Sequence, residues 1–394
     1  MIGTWSFVMQ QYIKILPNQI TDEHIIKSCE FVCGATHEQL YMKFDKQYQQ
    51  ELSESADPWV ILCLHKMLRA GGDFYVHGAV SASLMDNLEK YCDCWRTLKP
   101  EYKNIKIIPE SEVQDPVHEL PNRAIMTFSG GLDASFTLFR HKTGQAGRNT
   151  KNIERAILLF GAADTPLDKP EEFKIHADNA RTMCESMGVD FLTVETNFRD
   201  YYNDWEQEHF NLIVSALYFF EKYPYKITAS SLCVLPVSCK IWSSNPITDL
   251  MLSCNSANVI SDDVAYDRVM KANVVKNWKL ATKKMRVCWA GADKSKNCGE
   301  CEKCIRTMLN FIACGIDTPL EMFPANAYEN MYENAMKITH FPRWQWVRLL
   351  EILGQEPEKN KKYIKIINDV LNPGRKKIKK HKHSFWWHVR HMKF

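Results

Sequence analysis

The chain has 394 residues, 45% of them hydrophobic and 25% charged, a balance that excludes a disordered or collagen-like protein and allows one large domain or two to three smaller ones. Net charge is +3, but residues 375–394 hold eight Lys/Arg and no acid, so the tail supplies +8 and the rest −5, leaving no broad basic footprint for nucleic acid outside the tail. No apolar run approaches the roughly 18 residues that span a bilayer, and Met1-Ile2-Gly3-Thr4-Trp5 lacks the basic start and apolar core of a secretory signal, so a cytoplasmic location is expected.

Residues 1–120 mix helix and strand signals. Residues 40–44 alternate and read as a strand. Asp57-Pro58 opens a helical pattern that runs through Leu68, and Gly71-Gly72 stops it. Residues 73–77 read as a short strand, 81–95 as a helix and 105–108 as a strand. This stretch is expected to be a small α+β domain without a chemical motif. Pro116 and Pro121 mark a linker.

From Arg123 strands and helices alternate. Strands are predicted at 124–128, 155–160, 191–194 and 225–229, with helices at 136–141, 170–188 and 205–223. That order predicts an α/β fold built on a parallel doubly wound sheet, with ligand beyond the carboxyl ends of the strands. This second domain is expected over 121–316, followed by a helical extension over 317–372. A basic aromatic tail, 373–394, ends the chain with Phe385, Trp386 and Trp387 near its close.

The run Ser129-Gly130-Gly131-Leu132-Asp133-Ala134-Ser135 follows the first of these strands and opens a helix. Glycines let backbone approach phosphate oxygens, and the first helical amides and the helix dipole favour an anion. Ser129 and Ser135 add hydroxyl donors. Asp133 is suited to hold Mg²⁺ or to fix the loop. As a ligand-exposed residue, its replacement by Asn is expected to spare the fold. No Gly-Lys-Ser/Thr follows, so the loop is not a Walker A motif.

Fourteen cysteines are scattered singly except for Cys288, Cys298, Cys301 and Cys304, spaced C-x9-C-x2-C-x2-C within 286–306. Four thiolates at such spacing suit a closed tetrahedral Zn²⁺ site of structural type. Lys294, Lys296, Lys303 and Arg306 can offset its negative charge. An iron–sulfur cluster is the competing reading, although the longer spacing and trailing proline of a ferredoxin are missing.

The loop resembles the SGGxDS loop of the PP-loop ATP pyrophosphatases, with Ala134 where that pattern usually has serine and Ser135 one place on. With the cysteine knuckle about 150 residues later, residues 123–315 resemble the 7-cyano-7-deazaguanine synthase family of the queuosine pathway. The resemblance implies an adenine nucleotide alpha-hydrolase-like fold and an enzyme that cleaves ATP to AMP and pyrophosphate. A carboxylate or amide oxygen would be adenylated, and ammonia or an amine would then displace AMP. Arg268 and Lys271 fall in a segment similar to that family's lysine-containing helix start, and are the expected catalytic partners of Asp133. Ser230-Ser231 and Ser243-Ser244-Asn245-Pro246 fall at its substrate-side loops. Asp164, after the second strand, and Ser230 are further expected nucleotide contacts. His209 is a weaker candidate. The expected cofactors are ATP, Mg²⁺ and Zn²⁺. The acceptor is a small molecule or is borne on a macromolecule.

Two alternatives stand beside this reading. A tRNA-modifying sulfurtransferase would use the same adenylation with a persulfide on Cys233 or Cys239. A non-catalytic nucleotide-binding module would explain Ala134. The tail is suited to an anionic partner, RNA or a membrane surface, or is a solvated extension.

Overall fold

The computed structural model describes residues 10–115, 121–162, 165–229, 242–262 and 264–373. The chain begins with an antiparallel meander of β1 (Gln11–Ile20), β2 (His24–Cys33) and β3 (Thr36–Asp45). In β3, Leu40, Met42 and Phe44 are buried at every second position, the period a pleated strand imposes. Helix α1 (Asp57–Ala70) has Pro58 in its first turn and stops where Gly71 takes φ +78°. Then come β4 (Gly72–Ser81), α2 (Ala82–Leu98) and β5 (Ile105–Val113), with β4 parallel to both β1 and β5.

The alternating unit consists of β6 (Arg123–Thr127), α3 (Leu132–Lys142), β7 (Asn152–Phe160), α4 (Pro170–Ser186), β8 (Asp190–Thr196), α5 (Phe198–Tyr201), α6 (Trp205–Tyr218), β9 (Tyr225–Thr228) and β10 (Asn258–Ser261). These strands run parallel in the spatial order β8-β7-β6-β9-β10. The order reverses between β6 and β9. Such a reversal opens a crevice at the carboxyl end of the first strand, where open α/β sheets take ligand.

β8 also pairs antiparallel with β3, through Met42 opposite Thr196 and Lys43 opposite Glu195. The two halves therefore share one ten-stranded, mostly parallel sheet, and the expected boundary near residue 120 does not interrupt it. Lys43 Nζ lies 2.8 Å from Glu195 Oε2 and Tyr41 Oη donates to Glu195 Oε1 at 2.9 Å, so side chains reinforce the seam.

Helices cover both faces. Ala124 and Met126 of β6 pack into one core with α3 and α4, whereas Ile125 packs into the other with α1, α2 and α6. A strand buried on both faces carries an unbroken apolar run, which explains the sequence at 124–128. The first face is extended by α7 (Arg268–Val275), α8 (Lys279–Lys284), α9 (Glu302–Ala313), α10 (Met331–Ala335), α11 (Arg343–Leu353) and α12 (Lys361–Leu371). Among the described residues no helix is long and apolar enough to cross a membrane.

Candidate functional site

The turn from β6 into α3 is pinned on two sides. Gly130 has φ +66°, a left-handed conformation that glycine adopts without penalty. Its carbonyl accepts from the Arg286 amide at 2.9 Å. The Ser129 carbonyl accepts from His176 Nε2 of α4, also at 2.9 Å, so that nitrogen carries the proton. Gly131 is the N-cap of α3, and its carbonyl receives the Ser135 amide at 2.9 Å. No side chain caps this helix, and its first-turn amides have no partner within the helix. Those amides and the helix dipole favour negative charge there.

Asp133, in the first turn of α3, meets two cations from the start of α7. Arg268 Nη2 donates to Oδ2 at 2.9 Å and Lys271 Nζ to Oδ1 at 2.8 Å. Burial pushes the Asp133 carboxyl up, but the charges of Arg268 and Lys271 outweigh it and hold it well below the usual carboxylate range. Asp133 thus ties the loop to the start of α7. It is also more enclosed than expected, with its side chain 18% exposed and Lys271 only 1%. α7 starts in register because Asp267 caps it, Oδ1 accepting from the Met270 amide at 2.9 Å.

A cleft of about 280 Å³ opens over this loop. Ser129, Gly131, Asp133, Arg268, Arg286 and Lys303 line part of it, and Asp133 is the sole carboxylate among its described lining residues. Elsewhere the wall is aromatic and apolar. Trp205 stacks on His209 with centroids 5.2 Å apart, and His209 meets Trp242 edge-on at 5.3 Å. Cations beside helical amides can hold an anion, while flat rings can hold a planar apolar group.

Arg306 lies behind the cations. Its Nε donates to Glu302 Oε1 at 2.6 Å, and Glu302 Oε1 also accepts from Trp346 Nε1 at 2.8 Å. Burial, then the charge of nearby Arg268, draws the Arg306 guanidinium below its ordinary value. Its partner is therefore Glu302. Lys296 pairs with Asp293 at 2.8 Å, and Lys303 lines the cleft.

The four cysteines converge. Cys288 Sγ is 3.5 Å from Cys298 Sγ and 3.7 Å from Cys301 Sγ, and Cys298 Sγ is 3.9 Å from Cys304 Sγ. All four sulfurs lie within 4.8 Å of one another, so the group can hold a metal ion. Backbone amides of Gly291 and Cys301 donate to Cys288 Sγ and Cys298 Sγ at 3.2 and 3.3 Å. Asn297 braces the knuckle. Its Oδ1 accepts from the Val287 and Cys288 amides at 2.8 and 3.1 Å, and its Nδ2 donates to the carbonyls of Met285 and Met322, each at 2.9 Å. Gly299 takes φ +77°, and a Cβ there would meet Ala327 Cβ at 2.7 Å. The knuckle abuts the cleft directly, because Arg286 and Val287 line it and Cys288 follows them.

Of the residues expected from sequence, Ser129, Gly130, Gly131, Asp133, Arg268 and Lys271 come together at the loop. Ser135 is fully buried and does not line the cleft, which Ala134 does. Asp164 and Ser230 lie outside the described residues, as do Ser231, Cys233, Cys239 and the tail from residue 374 on. Ser243 and Asn245 are buried and tied into the fold, Ser243 Oγ accepting the Phe210 amide at 2.7 Å and the Asn245 amide donating to Asp249 at 2.7 Å. His209 does line the cleft. Trp205, Trp242, His176 and Arg286 carried no motif in the sequence. Only proximity to the knuckle marked Arg286.

Comparison with protein-family models and with curated proteins returned no match.

Proposed function

We propose that the cleft binds ATP through its phosphates and adenylates an acceptor, releasing pyrophosphate. The observation that carries this reading is that Arg268, Arg286 and Lys303 line one cleft with the glycine-rich turn at the strand-order reversal. In this reading the amides at the start of α3 and the Ser129 hydroxyl hold the leaving pyrophosphate. Arg268, Arg286 and Lys303 neutralise charge that grows on it as the bond to the α-phosphorus breaks. Asp133 keeps Arg268 and Lys271 oriented and takes no proton. A carboxylate or amide oxygen of the acceptor attacks the α-phosphorus in line. Ammonia or an amine then adds to the activated carbon, and AMP leaves with the acceptor's oxygen. The aromatic wall of Trp205, His209 and Trp242 provides a surface for a planar ring.

Asp133 acts here as the partner of Arg268 and Lys271, one on each oxygen. A metal carried in with the nucleotide would be held by phosphates and water, and no step here depends on it. For the knuckle we propose Zn²⁺. Tetrahedral thiolates at a Zn–S distance of about 2.3 Å stand about 3.8 Å apart, close to three of the sulfur separations, 3.5, 3.7 and 3.9 Å, with every pair within 4.8 Å. Four thiolates leave no open position, so the metal would hold the wall of the cleft without entering the chemistry.

Incubation with α-labelled ATP, ammonium and candidate carboxylate acceptors tests the reaction. AMP and pyrophosphate are the expected products. ADP as the product with every competent acceptor would overturn the assignment.

A further inference from the structure

The helical extension reaches back into the site. One helix, α11, makes three polar contacts to it with neighbouring side chains. Gln345 Oε1 accepts from Arg268 Nη1 at 3.0 Å. Trp346 Nε1 donates to Glu302 Oε1 at 2.8 Å, and Glu302 holds Arg306. Arg348 Nε donates to Asp267 Oδ2 at 2.8 Å, and Asp267 caps the helix that carries Arg268 and Lys271.

These contacts act on orientation. The Arg268 guanidinium is planar and presents its donors in a rigid fork. One terminal nitrogen is held by Asp133 on α3 and the other by Gln345 on α11. Two acceptors on separate elements fix both the position and the plane of the group. Without Gln345, Nη1 would lose the acceptor that α11 gives it. α11 is itself anchored by Trp346 and Leu349, both fully buried, so Gln345 starts from a rigid base. Gln345 is 92% buried, and a buried amide oxygen without a donor would be costly, which makes the contact part of the folded state.

We propose that Gln345 is a positioning residue that sets the plane of Arg268, and that α11 is the element through which the helical extension keeps the anion site assembled. The inference rests on the phosphate-binding reading of the cleft for its functional consequence, but its geometric claim stands apart from the ligand.

The test uses the full chain and two readouts. The first is rotation of the Arg268 guanidinium, followed by ¹⁵N NMR. The second is affinity for ATP and for inorganic pyrophosphate by calorimetry. Gln345→Leu should free the rotation and weaken binding of both probes roughly three- to tenfold, the worth of one hydrogen bond. Gln345→Glu retains an acceptor oxygen. It should restore restricted rotation but still bind the probes weakly, because it adds negative charge. Leu84→Ala, in the core on the opposite face of the sheet, is the structural control, lowering the melting temperature while leaving Arg268 rotation as in the wild type. Wild-type rotation in Gln345→Leu would overturn the proposal whatever the affinities. If the wild type binds neither probe and Gln345→Leu still frees Arg268, the positioning role stands and the ligand assignment fails.

Discussion

Asp133 is an acid placed inside a site whose other charged lining residues, among those described, are cations. Its two oxygens neutralise Arg268 and Lys271, the latter almost wholly buried. Removing one partner of a buried ion pair leaves the other uncompensated, at a cost of about 3–5 kcal/mol. Asp133→Asn should therefore destabilise the protein, which its expected exposure in the loop would not suggest. Added pyrophosphate should raise the melting temperature of the variant more than that of the wild type, because the anion replaces the lost charge. Thermal melts with and without pyrophosphate check this, and equal shifts in the two proteins would contradict it.

A second residue reads out mainly burial. Lys226 on β9 is 1% exposed, and its Nζ donates to the Phe220 carbonyl at 2.5 Å. Burial pushes its ammonium down to about 7 from an ordinary 10.5. Between these values the unfolded chain keeps a proton that the folded chain has released, so folding stability gains as pH rises through this window. The gain is on the order of 1 kcal/mol per pH unit. Lys226→Met lacks this term. Denaturation from pH 7 to 9.5 should therefore show the wild type rising relative to the variant. Parallel curves would show that Lys226 titrates normally.

At the scale of elements, what the sequence made legible follows from patterning. Residues 124–128 could be read as a buried strand because both faces of β6 are covered, and the loop after it because glycine and hydroxyl residues cluster there. β1 was not legible. It contains Pro17, its register shifts between Leu16 and Gln19, and most of its side chains are half-buried or exposed, so alternation is weak. β2 hides Lys27 and Ser28 in its buried set, which blurs its apolar pattern. The role of α11 was invisible for another reason. Gln345 lies 77 positions from Arg268, and such pairings leave no trace in local periodicity.

The knuckle gives the element-scale prediction. Spacing alone marked its cysteines, but not Asn297, which braces the turn with four hydrogen bonds to backbone. Asn297→Ala removes those bonds from a buried site. Loss of such outer partners typically weakens metal binding about 10–100-fold. Competition with a chromophoric chelator should show a loss of that size, from a wild type holding about one Zn²⁺ per chain. Iron in the purified protein, or an unchanged affinity in the variant, would contradict the account of the knuckle.

At the scale of the whole molecule, the site draws on segments far apart in the chain. The loop at 128–133, α4, α7, the approach to the knuckle and α11 meet around one end of a sheet that also runs into the N-terminal meander. The knuckle and the helical extension thus both serve the cleft, one as its wall and one as its brace. In the proposed reading this end of the sheet holds the β- and γ-phosphates of a nucleotide. Calorimetric titration of the full chain with ATP and with AMP tests it most directly. ATP should bind at least about tenfold more tightly than AMP, about 1.4 kcal/mol, because only ATP carries the pyrophosphate group that the amides and cations are placed to hold. AMP binding as tightly as ATP, or no saturable binding of either, would contradict the account.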